Sequence, residues 1–364
     1  MVLTDRGKPM KIMQVIPYFC FGGAETMCEN LCYAQTALGH DVVVVSLYNE
    51  HTPIAQRMEA SGIRILYLDK KLGLDVSMVP KLLKIMRREK PDVVHTHLDV
   101  IKYAVAAAKL AGIRTCVHTV HNVAEKEAEG LSQRINRVYF RMGWSRPVAL
   151  SPQVQKTIAA VYGLPEDTIP MVYNGVDLSR CVPKTDYSSQ NPPTLLHIGR
   201  FNEQKNHEGL LRAFQRLLQR IPQCRLLLVG DGELREEMEA LAHTLAIAQQ
   251  VEFCGSQSDV HPYLHRADLF LLPSNYEGMP MTIIEAMGTG LPIVATAVGG
   301  VPDMVEDGVS ALLTPCDVQA VCDACLRLLE DAGLREVLGK NALIRSRLFS
   351  AQEMANRYCK LYLE

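Results

Sequence analysis

The chain has 364 residues, of which 48% are apolar and 21% charged, and its formal net charge is -2. This length fits two domains of about 150 to 200 residues each, and the near-neutral balance offers no electrostatic footprint for nucleic acid. No apolar run reaches the length of about 18 residues that a transmembrane helix needs, and the N-terminal segment lacks a secretory h-region and cleavage site. We therefore expect a cytoplasmic protein whose only membrane contact, if it makes one, is peripheral.

The cysteine pattern predicts neither a disulfide framework nor a metal site. The eleven cysteines are scattered along the chain, mostly inside apolar segments, which is typical of reduced cytoplasmic thiols. Cys322 and Cys325 form a lone C-x-x-C, but they lie in a helical pattern and lack the second ligand pair that zinc requires. We expect no metal and no cofactor.

Apolar segments of strand length alternate with helical segments along the whole chain, which predicts an α/β fold with parallel sheets covered by helices. In the first half the predicted helices span 24–38, 77–89, 99–111 and 132–143, between the strands KIMQVIPYF, DVVVVSLY, IRILYL, PDVVHTH, TCVHTVHN and PVALS. The second half starts the same pattern again, with the strands TLLHIGR, RLLLVGD, QVEFCG, LFLLPS and PIVAT. Each half therefore predicts one Rossmann-like domain.

A change in composition marks the boundary between the two halves. Residues 181–193 contain three prolines and two serines among few apolar groups, which indicates a linker. We place the first domain at 1–185 and the second at 186–349. The last segment, 350–364, reads as a terminal helix that packs on the first domain.

Residues that follow the strands matter most, because open parallel sheets bind ligands beyond the carboxyl ends of their strands. After the first strand, Gly22 and Gly23 open a helix, where a phosphate could approach the backbone. A plain tight turn explains the glycine pair equally well. The full G-x-G-x-x-G pattern is absent, which disfavours dinucleotide-dependent dehydrogenase chemistry.

A second candidate anion site follows the first strand of the second half. Arg200 and Lys205 in GRFNEQKN would place two positive charges where a diphosphate could bind. Charge-assisted hydrogen bonds of this kind contribute roughly 1.5–3 kcal/mol each. Two solvated basic residues on a loop are the alternative.

The sharpest signal is the segment PSNYEGMPMTIIEA at 273–286. It predicts a turn that carries Glu277, followed by a helix that starts near Met281 and carries Glu285. Both carboxylates could face one ligand while the start of the helix receives phosphate oxygens. Solvated surface carboxylates are the alternative, which the apolar neighbours of Glu285 disfavour. The predicted donor-binding segment comprises Gly278, Met279, Pro280, Met281 and Thr282.

Taken together, these motifs resemble the family-4 retaining glycosyltransferases of the GT-B fold. The resemblance spans about residues 11 to 350, and its motifs occur in the order GGAE, HTVHN, NGVD, GRFNEQKN, LVGDGELREE, FCGSQSDV, EGMPMTIIEA and ATAVGGVPDMV. It implies two Rossmann-like domains that face each other across a cleft, with a C-terminal helix that crosses back to the first domain.

The resemblance also implies roles for individual residues. Glu285 would hold the donor ribose hydroxyls, and Glu277 would bind hydroxyls of the donor sugar. Arg200 and Lys205 would neutralise the departing nucleoside diphosphate, so that no metal is needed. His121 would lie beside the donor sugar. Three further histidines are nearby, namely His95, His97 and His118, and the spacing leaves open which of the four faces the ligand.

The implied reaction is retaining, metal-independent transfer of a sugar from a nucleotide-sugar, commonly a UDP-sugar, to an acceptor hydroxyl. The expected acceptor is a saccharide or a lipid-linked saccharide of surface-polysaccharide synthesis, bound by the first domain. Basic, partly apolar segments at 81–90 and 134–146 could dock on the anionic inner face of the cytoplasmic membrane, although solvated helix faces explain them as well. Two competing functions remain: a nucleotide-sugar epimerase or hydrolase, and a non-catalytic nucleotide-sugar binding protein.

Overall fold

The computed structural model describes residues 8–20, 22–188 and 192–364. They form two compact units, one comprising the chain up to Tyr173 together with Ala351–Glu364, the other Asn174–Ser350. Within the described parts of the chain, no helix has both the length and the apolar character needed to cross a membrane.

The first unit is built on a parallel sheet of six strands in the order β3-β2-β1-β4-β5-β6. Its strands are buried on both faces, as the near-continuous valine run of the second strand illustrates. The strands are β1 Lys11–Ile16, β2 Asp41–Ser46, β3 Arg64–Tyr67, β4 Val93–His97, β5 Thr115–Val120 and β6 Arg146–Ala149. The helices that cover them are α1 Gly23–Ala37, α2 Pro53–Ala60, α3 Met78–Glu89, α4 Ile101–Ala111, α5 Ala124–Glu127, α6 Gly130–Arg141 and α7 Pro152–Tyr162.

The second unit repeats this plan, with a parallel sheet in the order β12-β11-β10-β7-β8-β9. Its strands are β7 Thr194–Ile198, β8 Arg225–Val229, β9 Val251–Gly255, β10 Leu269–Leu272, β11 Ile293–Thr296 and β12 Leu312–Thr314. Its helices are α8 His207–Leu218, α9 Arg235–Thr244, α10 His261–Arg266, α11 Met281–Gly288, α12 Val301–Met304, α13 Val318–Glu330 and α14 Ala332–Ser346. The predicted α/β class and the restart of the strand pattern in the second half are confirmed.

Helix boundaries agree with the sequence patterns to within a few residues. The helix predicted at 132–143 lies at Gly130–Arg141, because Gly143 has a left-handed φ of 64° that a continuing helix cannot hold. The helix predicted at 99–111 begins at Ile101, after a short 3-10 turn. Cys322 and Cys325 are buried on α13.

The chain changes units at Tyr173/Asn174 and not near residue 185, where the sequence placed the boundary. The proline-rich segment expected to be a linker packs on the second unit as far as it is described. Lys184 N–H donates to Thr289 O at 2.8 Å, and the buried Tyr187 donates from its hydroxyl to Gly290 O at 3.0 Å. The packing of Tyr187 therefore overrides the linker predicted from composition. Residues 189–191 of that predicted linker lie outside the described residues.

The terminal helix α15, Ala351–Leu363, belongs to the first unit and packs against α1. Its tyrosines Tyr358 and Tyr362 are buried. The Tyr358 hydroxyl lies 2.7 Å from Thr119 Oγ1 at the end of β5, and Tyr362 accepts a hydrogen bond from Gln35 on α1 at 3.1 Å. The last turns of the chain thus complete the core of the first unit.

Candidate active site

Glu277 lies in the turn after β10, and its carboxylate is bound by three side chains of the second unit. Lys205 Nζ donates to Glu277 Oε1 at 2.6 Å, Ser274 Oγ donates to the same oxygen at 2.6 Å, and Gln204 Nε2 donates to Oε2 at 3.2 Å. Glu277 is only 4% exposed. The structure therefore brings together Lys205 and Glu277, two of the residues singled out by the sequence, in one buried ion pair.

This pairing depends on two neighbouring loops that share hydrogen bonds. Asn206, in a left-handed conformation with φ of 52°, donates from Nδ2 to Pro273 O at 3.0 Å. Asn275 N–H donates to Gln204 O at 2.8 Å. Since the carboxyl ends of β7 and β10 are adjacent in the sheet, these bonds hold the Lys205 loop against the Glu277 turn.

A glycine after β11 closes the other side of the turn. Gly299 has a left-handed φ of 52°, and a side chain there would clash with the Glu277 carbonyl. Gly300 N–H donates to that carbonyl at 3.3 Å. The GGVPD motif therefore fixes the backbone that carries Glu277.

The helix α11 begins directly after this turn, at Met281, and Pro280 offers no side-chain cap to its free N–H groups. Thr282 carries a buried hydroxyl oxygen with no partner among the described residues. Met279 has a structural role, because Asn174 donates from Nδ2 to its carbonyl at 2.9 Å and from N–H to its sulfur at 3.0 Å. The helix start thus combines unused donors with an unsatisfied hydroxyl, as an anion site requires.

Glu285 lies on α11 three positions after Thr282, so the two residues share one helix face. Burial raises the pKa of Glu285 to about 7, with a smaller opposing contribution from Arg180 and a further rise from Asp259. Arg180 Nη2 and Asp259 Oδ1 are 3.3 Å apart. This pair was not predicted from the sequence, although Asp259 lies within the motif FCGSQSDV and Arg180 lies three residues after NGVD.

Arg200 does not join the Lys205–Glu277 pair in this structure. Its side chain is 66% exposed and lies 3.3 Å from Glu233 Oε2. The loop below it is tightly packed, because side chains at Gly230 and Gly232 would clash with the carbonyls of Gly199 and Phe201. The two predicted cations therefore differ, one buried in an ion pair and one at the surface.

In the first unit, Gly22 precedes α1 and Gly23 is its first residue. The Glu25 carboxylate folds back over this helix start, where Cys20 donates from its thiol to Glu25 Oε1 at 2.8 Å. A side chain at Gly22 would clash with that carboxylate. A phosphate at the glycine pair would have to displace a carboxylate, so the structure favours the tight-turn interpretation.

The four candidate histidines lie in or just after β4 and β5, and they differ in exposure. His95, His97 and His118 are fully buried, whereas His121 is partly exposed. His97 Nδ1 lies 3.0 Å from His121 Nε2. Burial lowers the pKa of His121 to about 3 and that of His118 to about 4, so both imidazoles are neutral at physiological pH.

A carboxylate that the sequence analysis missed lies close to His121. Burial raises the pKa of Glu127, on α5, to about 7, and the backbone N–H groups of His121 and Asn122 partly offset that rise. The Glu127 Oε1 atom is buried without a partner in the described structure. Nothing in the sequence marks Glu127, because it follows its motif by several residues.

Two family models match the chain, Glycosyltransferase Family 4 over residues 21–180 and Glycosyl transferases group 1 over residues 184–345. The chain belongs to glycosyltransferase family 4. Lys205, Glu277 and the start of α11 lie within the range of the second match.

Characterised relatives of this glycosyltransferase share about a quarter of its residues. It is 27% identical to N-acetyl-alpha-D-glucosaminyl L-malate synthase of Bacillus anthracis, over 80% of this chain and 79% of that protein. It is also 27% identical to UDP-Gal:alpha-D-GlcNAc-diphosphoundecaprenol alpha-1,3-galactosyltransferase of Escherichia coli, over 79% and 78% of the two chains.

Among solved structures, HepE of Anabaena superposes with a TM-score of 0.84 at 21% identity, over 97% of this chain and 99% of that one. HepE was solved with UDP and with UDP-glucose. The GT-B fold expected from the sequence is confirmed by this likeness. Within the described ranges, the glycosyltransferase has no group of three or more histidine, cysteine, aspartate or glutamate side chains that could hold a metal ion.

Proposed function

We propose that the protein is a retaining, metal-independent glycosyltransferase that transfers a sugar from a UDP-sugar to an acceptor hydroxyl. The observation that carries the proposal is the Lys205–Glu277 pair beside the start of α11. Uracil is proposed as the base of the donor nucleotide by analogy with the Escherichia coli relative, whose name specifies UDP-Gal, and with the UDP complexes of HepE.

In this proposal the nucleoside diphosphate binds at the start of α11. The free N–H groups there and the Thr282 hydroxyl receive phosphate oxygens. Arg200 and Lys205 supply positive charge to the leaving diphosphate, which a divalent cation supplies in other transferases. Glu285, on the Thr282 face of the helix, accepts hydrogen bonds from the two ribose hydroxyls.

Glu277 is proposed to bind the donor sugar through its remaining acceptor capacity. A carboxylate offers about four acceptor positions. Lys205 and Ser274 use two on Oε1, and Gln204 uses one on Oε2, which leaves a position on Oε2 for a sugar hydroxyl. Because three donors hold the carboxylate, the hydroxyl meets a group that needs no reorganisation.

His121 is proposed to form a hydrogen bond to the donor sugar. Its imidazole is neutral, since burial lowers its pKa to about 3, so it can donate or accept a hydrogen bond but is not a source of protons at neutral pH. Retention then proceeds by front-side displacement through an oxocarbenium-like transition state. The leaving phosphate oxygen takes the proton of the acceptor hydroxyl, and the protein contributes positioning and charge.

We further propose a lipid-linked saccharide as the acceptor and the inner face of the cytoplasmic membrane as the place of reaction. The name of the Escherichia coli relative specifies a diphosphoundecaprenol acceptor. Residues 130–146 contain four arginines and no acidic residue. On α6 and just after it, three exposed apolar side chains follow one helix face, namely Leu131, Val138 and Met142.

The other basic segment, 81–90, is a poorer docking surface than the sequence suggested. Leu82 and Met86 are buried in the core, and Leu83 and Ile85 pack against it, so the apolar face of α3 is already covered. The membrane proposal therefore rests on α6.

Membrane docking predicts a specific loss in one double variant. Val138→Asp combined with Met142→Asp should lower binding to vesicles that contain phosphatidylglycerol by about tenfold or more, because it removes apolar contact and reduces the local positive charge. Vesicle flotation measures the change. Val337→Asp, at an exposed valine on the second unit, is the matched control and should bind as wild type does. Wild-type protein that stays at the bottom of the gradient would exclude the docking surface.

The donor class is tested by thermal unfolding with UDP, GDP, ADP and no ligand, each with and without EDTA. A ligand at a hundredfold excess over its Kd stabilises the folded protein by about 2.7 kcal/mol, or about 5–10 °C for a domain of this size. We expect a shift with UDP that EDTA does not change. A shift with GDP alone would correct the base, and a shift that EDTA abolishes would refute metal independence.

Turnover separates the competing functions. A transferase releases UDP from a UDP-sugar quickly only when an acceptor is present, whereas a hydrolase releases it without one. An epimerase changes the sugar and releases no UDP. Binding without any turnover across a panel of lipid-linked and free saccharides would favour a non-catalytic nucleotide-sugar binding protein.

A further inference from the structure

A chain of buried polar side chains runs through the first unit from His121 into the core. His121 Nε2 lies 3.0 Å from His97 Nδ1, and His97 Nε2 lies 2.8 Å from Gln14 Oε1 on β1. Gln14 Nε2 donates to Gln35 Oε1 on α1 at 2.9 Å. His97, Gln14 and Gln35 are all fully buried, so each of these contacts replaces a bond to water that burial has removed.

The chain continues into the terminal helix α15. Gln35 Nε2 donates to the Tyr362 hydroxyl at 3.1 Å, and that hydroxyl lies 2.7 Å from His95 Nδ1. His95 Nε2 lies 2.7 Å from Thr119 Oγ1, which in turn lies 2.7 Å from the Tyr358 hydroxyl. The chain therefore has a near segment at His121 and a far segment at Tyr358, joined at Tyr362.

Two glutamines in series give this chain a single direction. Each amide presents an oxygen at one end and an N–H group at the other, and a neutral imidazole donates from one nitrogen and accepts at the other. Burial keeps His95 and His97 neutral, because it lowers the pKa of each well below its usual value. Reversing one amide alone would place two donors or two acceptors against each other, so all links in the chain must run the same way.

With the amides as they stand, His97 donates from Nε2 to Gln14 and accepts at Nδ1. His121 must then donate from Nε2, which leaves the lone pair on His121 Nδ1. That nitrogen can accept a hydrogen bond from a hydroxyl but cannot donate one.

We propose that Gln14, Gln35 and Tyr362 are positioning residues that fix the tautomer and ring orientation of His121. The inference deepens the proposed function and rests on it, because the sugar contact of His121 belongs to that function. It adds that His121 Nδ1 accepts a hydrogen bond from a donor-sugar hydroxyl. The terminal helix thereby sets the hydrogen-bonding state of a residue on a distant loop of the same unit.

Tyr362→Phe tests the relay with the smallest change in volume. It removes the acceptor for Gln35 Nε2, so the amides lose their fixed direction and His121 should populate both neutral tautomers. Two-dimensional 15N–1H correlation of the imidazole nitrogens in the full-length protein measures this, with His121 assigned from the signal lost in His121→Asn. Wild type should show one tautomer protonated at Nε2.

Tyr358→Phe is the matched control. Tyr358 is buried on the same helix, but among the described residues its hydroxyl bonds only to Thr119, which belongs to the far segment. We expect the His121 signals of Tyr358→Phe to match wild type, and those of Tyr362→Phe to move toward the mean of two tautomers. Unchanged signals in Tyr362→Phe, or equal changes in both variants, would overturn the proposal.

Steady-state kinetics provide a second measurement. Two further variants cover the case that Tyr362→Phe does not fold and test the sugar contact separately. Tyr362→Phe should lower kcat/KM for the donor by about tenfold and leave the KM for the acceptor unchanged. If Tyr362→Phe does not fold, Gln35→Met provides the same NMR test, because it removes the acceptor for Gln14 Nε2 and so allows the Gln14 amide to reverse. Full activity in His121→Asn would refute the proposed sugar contact, while the tautomer measurement would still test the relay by itself.

Discussion

Glu277→Gln should lower kcat by at least about 100-fold and leave the affinity for free UDP within about threefold of wild type. The substitution keeps the shape of the side chain but removes its negative charge. That charge balances Lys205 and strengthens the hydrogen bond from the donor sugar. Loss of one preorganised polar contact to a transition state commonly costs this much. Steady-state kinetics and UDP titration calorimetry measure the two effects.

Two controls separate this effect from a general disturbance of the fold. Glu336→Gln breaks the exposed pair between Glu336 and Lys340 on α14 and should behave as wild type, because exposed pairs contribute about 0–1 kcal/mol. Circular dichroism of Glu277→Gln should show a native spectrum. Equal losses of kcat and UDP affinity would indicate that Glu277 binds the nucleotide or supports the fold, and the proposed sugar contact would be wrong.

Glu285→Ala should weaken UDP binding by at least about 100-fold, because the ribose loses two hydrogen bonds to a charged acceptor, each contributing roughly 1.5–3 kcal/mol. Glu277 is unaffected by this change. Glu285→Ala therefore tests the contact to the nucleotide, and Glu277→Gln tests the contact to the sugar. A loss of less than about threefold would show that the ribose binds elsewhere.

UDP affinity in the wild type should also depend on pH. Burial raises the pKa of Glu285 to about 7, and only the ionised carboxylate accepts both ribose hydrogen bonds. Lowering the pH from 8 to 6 should therefore weaken binding by about tenfold through the uptake of one proton. Glu285→Gln should bind weakly with a much flatter pH profile, and an equally steep profile in that variant would assign the titration to another group.

The same carboxyl group makes an opposite contribution to stability without ligand. Its folded pKa lies above its unfolded value, so the folded state holds the proton more tightly, and the free energy of unfolding falls as pH rises from about 4.5 to 7. Glu285→Gln should be more stable than wild type at pH 8 by on the order of 2 kcal/mol and equal to it at pH 4. Urea denaturation of both proteins at each pH measures the difference in their free energies of unfolding. Because Glu127 is present in both proteins, its similar contribution cancels in that difference.

Local pattern was sufficient to predict the start of α11, the presence of two sheets and every described strand except the three-residue β12, because strand length and helix spacing are properties of neighbouring residues. It failed at the unit boundary. There, Tyr187 hydrogen-bonds to Gly290, a residue about a hundred positions away, and no composition rule registers such a contact. The burial of Tyr187 and the hydrogen bonds from Asn174 and Lys184 place the segment in the second unit.

The candidate site shows the same division. The motifs located Glu277, Lys205 and Glu285, but nothing in them indicated that Glu277 and Lys205 pair in the structure without ligand. Glu127 and the chain of Gln14 and Gln35 were missed, because their importance arises only when β1, α1 and β5 fold together. The glycine pattern also did not indicate that a carboxylate covers the helix start at Gly22.

The position of α15 affects the order in which the protein folds during synthesis. The second unit is continuous in sequence, so it can fold as soon as Ser350 leaves the ribosome. The first unit must wait for Tyr358 and Tyr362, which lie beyond the entire second unit. Until then its sheet has a buried pair of glutamines without their final partner, and its closing contact spans a loop of more than three hundred residues. The first unit therefore completes its core after the second unit, through a long-range contact that closes slowly.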